Sequence, residues 1–164
     1  MLFKRLSLVG VLGIAVVGAD VLSKRLAEAA LSHGVEVALT PFLNLRLGFN
    51  PGISFGLFPI GSASGVAILI AVQGVIIAGM VIAAMWSRLL LERAAFSLII
   101  GGAVGNVIDR ARDGLVTDFL DLHLQGWHWP TFNIADMAIC FGVAMLLWTS
   151  VSARRVSDDK LYPK

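Results

Sequence analysis

Four long apolar runs, separated by segments that carry the charges, dominate the pattern of this chain. The clearest run, residues 62–86, has no charged side chain over 25 positions. The other runs lie at about 6–22, 94–110 and 132–151, and the third is short unless its helix continues through the Asp-Arg pair at its end. Because a helix needs about 20 apolar residues to cross the hydrocarbon core of a membrane, the pattern predicts an all-α membrane protein with four transmembrane helices.

The first run fits two interpretations. Lys4 and Arg5, an apolar stretch and the small pair Gly18-Ala19 also form the pattern of a cleavable secretory signal peptide. On this segment alone the two interpretations are balanced. The three spans further along the chain make a multi-pass protein, and this favours a retained first helix.

The segment between the first two runs, residues 23–61, is too long for a bare linker. Its residues alternate between apolar and polar at 44–49 and again at 53–56, with Gly and Pro between them. This alternation predicts short strands or a hairpin lying on the membrane surface. We therefore expect a small extracytoplasmic β element in this first outer loop.

The composition agrees with a membrane protein. The chain is 57% apolar and 15% charged, whereas soluble domains carry charge on about a quarter of their residues. With so much of the chain in the membrane, we expect a single membrane-embedded domain over residues 1–164. The net charge is +2, but the basic residues are spread over short segments beside the apolar runs, so we expect no nucleic-acid partner.

The distribution of Lys and Arg predicts the orientation. The N-terminus, the link 87–93 and the tail from 152 together carry eight of the 13 basic residues. Segments rich in Lys and Arg stay in the cytoplasm. Both termini are therefore expected in the cytoplasm and both long loops outside.

Asp136 is the outstanding candidate for chemistry, because polar residues at membrane depth are costly and usually functional. It lies about four residues into the fourth run, roughly 6 Å along the helix axis. Asn133, three residues earlier, shares its helix face and can hydrogen-bond the carboxyl group. The alternative interpretation is a structural polar residue that binds another helix.

Asp118 is the candidate partner, because apolar residues flank it in Val-Thr-Asp-Phe-Leu. Two carboxyl groups close together in a desolvated site tend to share one proton. The ionised group then takes a proton from water while the neutral one polarises the scissile carbonyl. Asp113 and Asp121 lie in more polar contexts and are predicted to be solvated. Asp20 has Lys24 four residues on, which indicates a helical ion pair.

Other hydrolytic chemistry lacks a pattern. His33, His123 and His128 have no metal-ligand spacing, and no His-Glu-x-x-His motif occurs. The one Gly-x-Ser-x-Gly, at 52–56, has no histidine in a plausible relation to Ser54. We therefore expect neither a metal nor another cofactor. Cys140, a lone cysteine in an apolar run, is interpreted as packing, and Gly101 and Gly105 as a close helix contact.

Five short motifs occur in order along the chain. They are Asp-x-x-Ser-Lys at 20–24, Asn-x-Gly-x-x-Phe at 50–55, Gly-Asn-x-x-Asp-Arg at 105–110, Val-x-Asp-Phe at 116–119 and Phe-Asn-x-Ala-Asp at 132–136. Each motif alone is weak. In this order, within a four-helix pattern, the chain resembles the bacterial lipoprotein signal peptidases (signal peptidase II) over nearly its whole length.

The resemblance implies an aspartyl endopeptidase of the bacterial inner membrane, with its active site at the outer face. The implied substrate is a diacylglyceryl-modified prolipoprotein, cut just before the lipidated cysteine, and the implied inhibitor is the cyclic peptide globomycin. The implied catalytic residues are Asp118 and Asp136. The implied supporting residues are Asp20, Asn50, Gly52, Asn106, Asp109, Arg110, Asn133 and Ala135. Val21, Pro51 and Ile53 depart from the family's usual residues, which affects the expected details of the substrate loop.

Two other classes of function fit the pattern of residues. One is a membrane protein that binds lipids or lipoproteins without catalysis. The other is a small ion channel or transporter subunit, with Asp136 and Asp20 on an ion path. Transporters often carry Gly- or Pro-broken helices at symmetric positions, and this chain has no such symmetry.

Overall fold

The computed structural model describes residues 2–52 and 63–161, and side chains between residues 10 and 152 of those ranges. The helices are α1 (Leu2–Ala30), α2 (Ala63–Trp86), α3 (Leu90–Asp113) and α4 (Ile134–Leu161). The strands are β1 (Glu36–Thr40), β2 (Leu43–Asn50), β3 (Val116–Leu124) and β4 (Trp127–His128). The predicted combination of a mostly helical protein with a small β element is confirmed.

Three helices within the described residues are long and apolar enough to cross a membrane. They are α2, α3 and the part of α4 from Ile134 to Ser152. The first predicted span lies within α1, a helix of 29 residues. Membrane crossing by α1, and with it the count of four spans, stays a prediction.

Helix α3 lies at the centre of the bundle and packs against the other three helices. Glycine makes two of these contacts close. A Cβ on Gly101 would lie 2.8 Å from the carbonyl oxygen of Gly13 on α1, and one on Gly142 would lie 2.6 Å from that of Ala95. The predicted close packing around Gly101 is confirmed, and such small residues let the helix backbones approach one another.

Two helix boundaries differ from the sequence prediction. Helix α3 begins at Leu90 rather than at 94 and continues through its Asp-Arg pair to Asp113. Gly114, whose φ of 77° is the left-handed conformation that favours glycine, caps it. Helix α4 begins at Ile134 rather than at 132 and continues to Leu161. The helix therefore extends beyond the predicted span and includes the charged tail as far as Leu161.

The strands form one antiparallel sheet in the order β1-β2-β3-β4. Strand β2 confirms the alternation predicted at 44–49, whereas 53–56 lies outside the described residues. The expectation that the β element belongs to the first loop alone is wrong, because β3 and β4 come from the second loop. A register shift between Leu45 and Gly48 of β2 places Gly48 opposite Asp118.

Strand β3 is fastened to the start of α4 through the backbone of Phe132. The carbonyl oxygen of Phe132 accepts from the amides of Phe119 at 3.0 Å and Leu120 at 2.9 Å. The Phe132 amide in turn donates to the carbonyl oxygen of Leu120 at 3.0 Å. The sheet and the first turn of α4 are thereby held in a fixed relation.

Candidate active site

Asp118 lies on β3 and is only 2% exposed. Its Oδ1 atom accepts a hydrogen bond from Asn133 Nδ2 at 2.7 Å. The side chain of Asn50, at the end of β2, also hydrogen-bonds the Asp118 carboxyl group. The apolar flanks that predicted an interfacial carboxyl are confirmed as its surroundings, since Val116 and Phe119 are buried beside it.

Asp136 occupies the first turn of α4, and Asn133 caps that helix. The Asp136 amide donates to Asn133 Oδ1 at 2.9 Å, and the Asn133 amide donates to Asp136 Oδ2 at 3.2 Å. This reciprocal pair satisfies two backbone donors at the helix start, as in a capping box. It also fixes the Asn133 amide so that its nitrogen points to Asp118. Asn133 therefore joins the two carboxyl groups, and its predicted contact with Asp136 is confirmed.

Asn106 of α3 makes the second link to Asp136. Its Nδ2 atom donates to Asp136 Oδ1 at 3.0 Å. Its Oδ1 atom accepts from Lys24 Nζ at 2.9 Å, and from Asn133 Nδ2 at 3.4 Å. The Asp136 carboxylate thus accepts hydrogen bonds at both oxygens, one from α3 and one from its own helix start.

Lys24 of α1 is the centre of a buried charge cluster. Its Nζ atom lies 2.7 Å from Asp20 Oδ2 and 3.1 Å from Asp109 Oδ2. Asp20 Oδ1 accepts from the Ala135 amide at 2.8 Å, and Asp109 Oδ2 accepts from the Thr117 amide at 3.1 Å. The predicted Asp20–Lys24 ion pair is confirmed. The cluster also connects α1 with α3, with β3 and with α4.

The carboxyl groups of Asp118 and Asp136 are called the dyad below. Arg110 and the turn after β2 form its other side. The Gly52 amide donates to Asn50 Oδ1 at 2.8 Å. Gly52 has a φ of +81°, and a Cβ there would lie 2.6 Å from Arg110 Nη2. Both observations require glycine at this position. Arg110 Nη1 contacts Gln73 Oε1 of α2 at 3.4 Å, and the charge of Arg110 acts on both Asp118 and Asp136.

The structure therefore joins all of the residues predicted for the site in one network of contacts. Its members are Asp118, Asp136, Asp20, Asn50, Gly52, Asn106, Asp109, Arg110, Asn133 and Ala135. This is a finding about position, and their roles stay predictions.

The two carboxyl groups have different surroundings. Burial raises the pKa of Asp118 to about 6, and the negative charge of Asp136 acts in the same direction. Hydrogen bonds from Asn50 and Asn133 oppose this shift. Asp136 lies at a helix N-terminus, where the aligned peptide dipoles favour a negative charge. Such a pair has one group suited to hold a proton and one suited to accept it.

An apolar groove of about 770 Å³ begins at Asp136 and follows α4. Its walls include Trp129 and Phe132 before the helix and Met137, Cys140 and Phe141 on it. The interpretation of Cys140 as a packing residue is wrong, because its side chain is exposed on this groove. The groove places an apolar surface next to the carboxyl pair.

Sequence reasoning missed several residues of this region. Lys24 was predicted to make only a local ion pair, although it also reaches α3. The prediction that Asp121 is solvated is wrong, because its side chain is fully buried in the sheet. Gln73 was not singled out, although a long polar side chain inside the charge-free second run is a signal for such a contact.

Asp118→Asn is expected to stabilise the protein at neutral pH. The pKa of about 6 lies above the ordinary 3.8, so the folded protein binds this proton more tightly than the unfolded chain. That contribution is complete below about pH 4 and is lost as the pH rises to about 6. The charged side chain then costs up to about 3 kcal/mol, which neutral asparagine removes. Thermal unfolding in detergent should show a higher Tm for this variant at pH 7.

The same measurement at pH 4 provides the control, because there the two proteins should melt alike. Asp113→Asn, an exposed aspartate near the end of α3, should change the Tm little at either pH. A Tm of Asp118→Asn at or below that of the wild type at pH 7 would contradict the inferred cost of the buried charge.

Solved structures with a similar fold and proteins with a similar sequence define the class to which this chain belongs. Two solved structures, each described as a bacterial membrane enzyme studied by the in meso method, share this fold. One, at 2.3 Å resolution, has a TM-score of 0.78, is 26% identical and matches 89% of this chain and 88% of its own. The other, at 1.9 Å resolution, also has a TM-score of 0.78, is 27% identical and matches 87% of this chain and 92% of its own. The fold is that of an integral membrane enzyme.

The family follows from the sequence. The family model for signal peptidase (SPase) II matches residues 12–152. A lipoprotein signal peptidase of Polynucleobacter necessarius is 43% identical over 88% of this chain and 91% of its own length. A second, from Francisella tularensis subsp. novicida, is 38% identical over 90% and 93%. The chain belongs to the signal peptidase II family, a family of membrane proteases in lipoprotein maturation.

Proposed function

We propose that this protein is an aspartyl endopeptidase that cuts diacylglyceryl-modified prolipoproteins just before the lipidated cysteine. Asp118 and Asp136 are its catalytic pair. The observation that carries the proposal is that Asn133 joins the two carboxyl groups where β3 meets α4: its side-chain Nδ2 donates to Asp118 and its backbone amide donates to Asp136. Family membership supports the substrate class, and the geometry supports the aspartyl chemistry.

The proposed reaction needs only water and the proton of the dyad. Asp136, which enters ionised, takes a proton from a water molecule as that water attacks the scissile carbonyl carbon. Asp118, in the fraction of molecules that carries its proton, gives that proton to the carbonyl oxygen as the tetrahedral intermediate forms. The intermediate then collapses, the C–N bond breaks, and the leaving amine takes up the proton that Asp136 received. Asp118 recovers its own proton from the hydroxyl group that becomes the new carboxyl.

The supporting residues hold the dyad and the peptide in position. Asn133 and Asn106 orient the two carboxyl groups through the contacts described above. The Lys24 cluster, which includes Asp20 and Asp109, anchors the helices behind them. Asn50, Gly52 and Arg110 form the side of the site where the peptide backbone is expected to lie, because Arg110 of α3 meets the turn after β2 there.

The apolar groove beside Asp136 is proposed to take an apolar part of the substrate. Trp129, Phe132, Met137 and Phe141 line it together with Asp136. Burial of an acyl chain contributes about 0.8 kcal/mol per CH₂, so the lipid of the precursor brings the scissile bond to this depth. Globomycin-like cyclic peptides are proposed to inhibit by competing with the lipidated peptide.

A lipidated precursor peptide is expected to have a kcat/KM at least 100-fold higher than its unlipidated form. Without the acyl chains the peptide lacks both the groove contacts and the partition into the membrane phase. The measurement compares the two peptides at matched concentrations in detergent micelles with the same enzyme preparation. Equal kcat/KM values would mean that the lipid is not recognised.

The proposed orientation has both termini in the cytoplasm of a bacterium and the dyad at the outer face of its inner membrane. In a Cys140→Ala background, Ser32→Cys between α1 and β1 should react with an impermeant thiol reagent added to intact cells. Arg88→Cys, in the exposed link between α2 and α3, should react only after the cells are opened. Reaction of Arg88→Cys in intact cells would reverse the orientation.

A further inference from the structure

A second group of ionisable side chains lies on the sheet, outside the network around the dyad. It consists of Glu36 on β1, Asp121 on β3 and His128 on β4. Among the described residues these three offer ligand atoms that all lie within 4.8 Å of one another. No ligand spacing along the chain revealed this group, because its three members lie on separate strands that only the fold brings together.

Asp121 is the buried member of this group. Its side chain is fully excluded from solvent, and both carboxylate oxygens face His128 Nδ1, at 3.0 Å and 2.9 Å. A buried carboxylate is costly unless a positive group compensates it. His128 provides a positive charge only when it is protonated, whereas a bound cation provides one in either state.

His128 is held in one orientation by its neighbours. Its ring stacks on that of His123 with centroids 5.3 Å apart, and the two residues pair across β3 and β4. His123 Nε2 in turn lies 3.2 Å from Asn44 Oδ1 on β2. The ring of His128 is therefore set with Nδ1 towards Asp121.

Glu36 is the adaptable member. Its side chain is exposed, and its Oε1 atom contacts Arg46 Nη1 at 3.3 Å. An exposed ion pair of this kind contributes little stability, so Glu36 can turn towards a cation at small cost. Roughly 3.4 Å separates neighbouring ligand atoms around tetrahedral zinc. The ligand atoms of the three residues now lie up to 4.8 Å apart. A movement of about 1 Å by the exposed side chains would bring them to the separation found around zinc.

We propose that Glu36, Asp121 and His128 form a binding site for one zinc ion. An imidazole nitrogen with carboxylate oxygens is a ligand set for first-row divalent metals, whereas magnesium and calcium prefer oxygen ligands alone. The ion takes the place of the proton between His128 and Asp121. Three protein ligands leave one tetrahedral position for water.

Zinc at this position stabilises the strands around the dyad. It connects β1, β3 and β4, which are not all neighbours in the sheet. Asp121 follows Asp118 by three residues on β3, so the same strand carries a ligand of the metal and a member of the proposed catalytic pair. The role is structural and adds no step to the proposed reaction.

The test uses the full-length protein without a histidine tag, stripped with a chelator in detergent. Equilibrium dialysis should give one zinc per chain. Zinc at about 100 times its Kd should raise the Tm by roughly 5 °C, and magnesium or calcium at that concentration should leave the Tm unchanged. Glu36→Gln and His128→Gln, which alter exposed ligands, should each weaken zinc binding at least 10-fold.

Three matched variants sharpen the result. His33→Gln removes an exposed histidine that stacks on Phe49, and it should bind zinc as the wild type does. Arg46→Gln releases Glu36 from its ion pair and should bind zinc equally or more tightly. Asp136→Asn should also bind zinc fully, which separates this proposal from that of the peptidase.

Several outcomes would overturn the zinc site. One is an absence of stoichiometric zinc in the wild-type protein, which would leave Asp121 and His128 as a plain ion pair. A second is a Tm rise of equal size in His128→Gln, which would place the zinc elsewhere. A third is an equal rise with calcium, which would contradict the ligand chemistry.

Discussion

Replacement of Asp118 or of Asp136 by asparagine is expected to lower the rate of cleavage of a lipidated precursor by about 10²–10⁴-fold or more. This is the range that a positioned proton-transferring group contributes. Asparagine keeps the shape of the side chain and its hydrogen bonds to Asn133, but it can neither take a proton from water nor give one up. Because the two carboxyl groups act as one unit, the double variant should be little worse than either single one. Turnover of a lipidated peptide by each purified variant measures this.

Asp113→Asn makes the same chemical change at an exposed aspartate and should keep its full activity. Thermal unfolding in the same detergent shows whether the inactive variants remain folded, and Asp118→Asn should melt above the wild type at neutral pH. Turnover close to that of the wild type in either dyad variant would remove the catalytic assignment. Lipid binding without catalysis, or ion movement past Asp136, would then be the better reading of the site.

Lys24→Ala is expected to have the largest effect on stability. Lys24 is fully buried between Asp20 and Asp109, and its loss leaves both carboxylates without their cation. Removal of one partner from a buried ion pair typically costs about 3–5 kcal/mol. The control is Arg25→Ala on the same helix. Arg25 makes an exposed pair with Glu28 at 3.4 Å, whose loss should cost less than about 1 kcal/mol. Equilibrium unfolding of the purified proteins in detergent compares the two.

A second pair of variants separates charge from packing at this position. Lys24→Met keeps most of the side-chain volume but removes the charge, so it should also be strongly destabilising. Addition of Asp109→Asn to Lys24→Met removes one of the two stranded charges and should restore part of the loss. An unfolding free energy of Lys24→Ala within 1 kcal/mol of the wild type would contradict the role of Lys24 as the centre of the cluster.

The sequence was sufficient for the helices and for most of the site, for identifiable physical reasons. A membrane helix makes its backbone hydrogen bonds within itself, so a continuous apolar run such as 62–86 is enough to predict it. The positions of Asp118 and Asp136 were predictable because a carboxyl group flanked by apolar residues is unusual enough to stand out. The contact between Asn133 and Asp136 was predicted from helical spacing, although Asn133 makes it as the cap before α4.

The features that the sequence did not predict depend on contacts between distant parts of the chain. Strand β3 pairs with β2, some 70 residues earlier, and the alternation of apolar and polar residues at 120–124, which indicates a strand, was not used in the prediction. Asp121 looked solvated because its neighbours along the chain are mixed, yet the sheet covers it completely. Lys24 was assigned only its local partner, because nothing in the spacing reveals that α3 carries Asn106 and Asp109 to the same place.

The hydrogen bond from the Ala135 amide to Asp20 joins residues 115 positions apart, on the first and last helices. Helices of a membrane protein enter the bilayer in order as the chain is synthesised, so this bond cannot form until the last helix is in place. Asp136 arrives with that same helix, and Asn133, which orients Asp118, arrives just before it. A nascent chain that ends before α4 therefore carries Asp118 without Asp136. If the two form the proposed catalytic pair, the proteolytic centre is assembled only at the end of biogenesis, and incomplete chains stalled in the membrane have no means of cutting their neighbours.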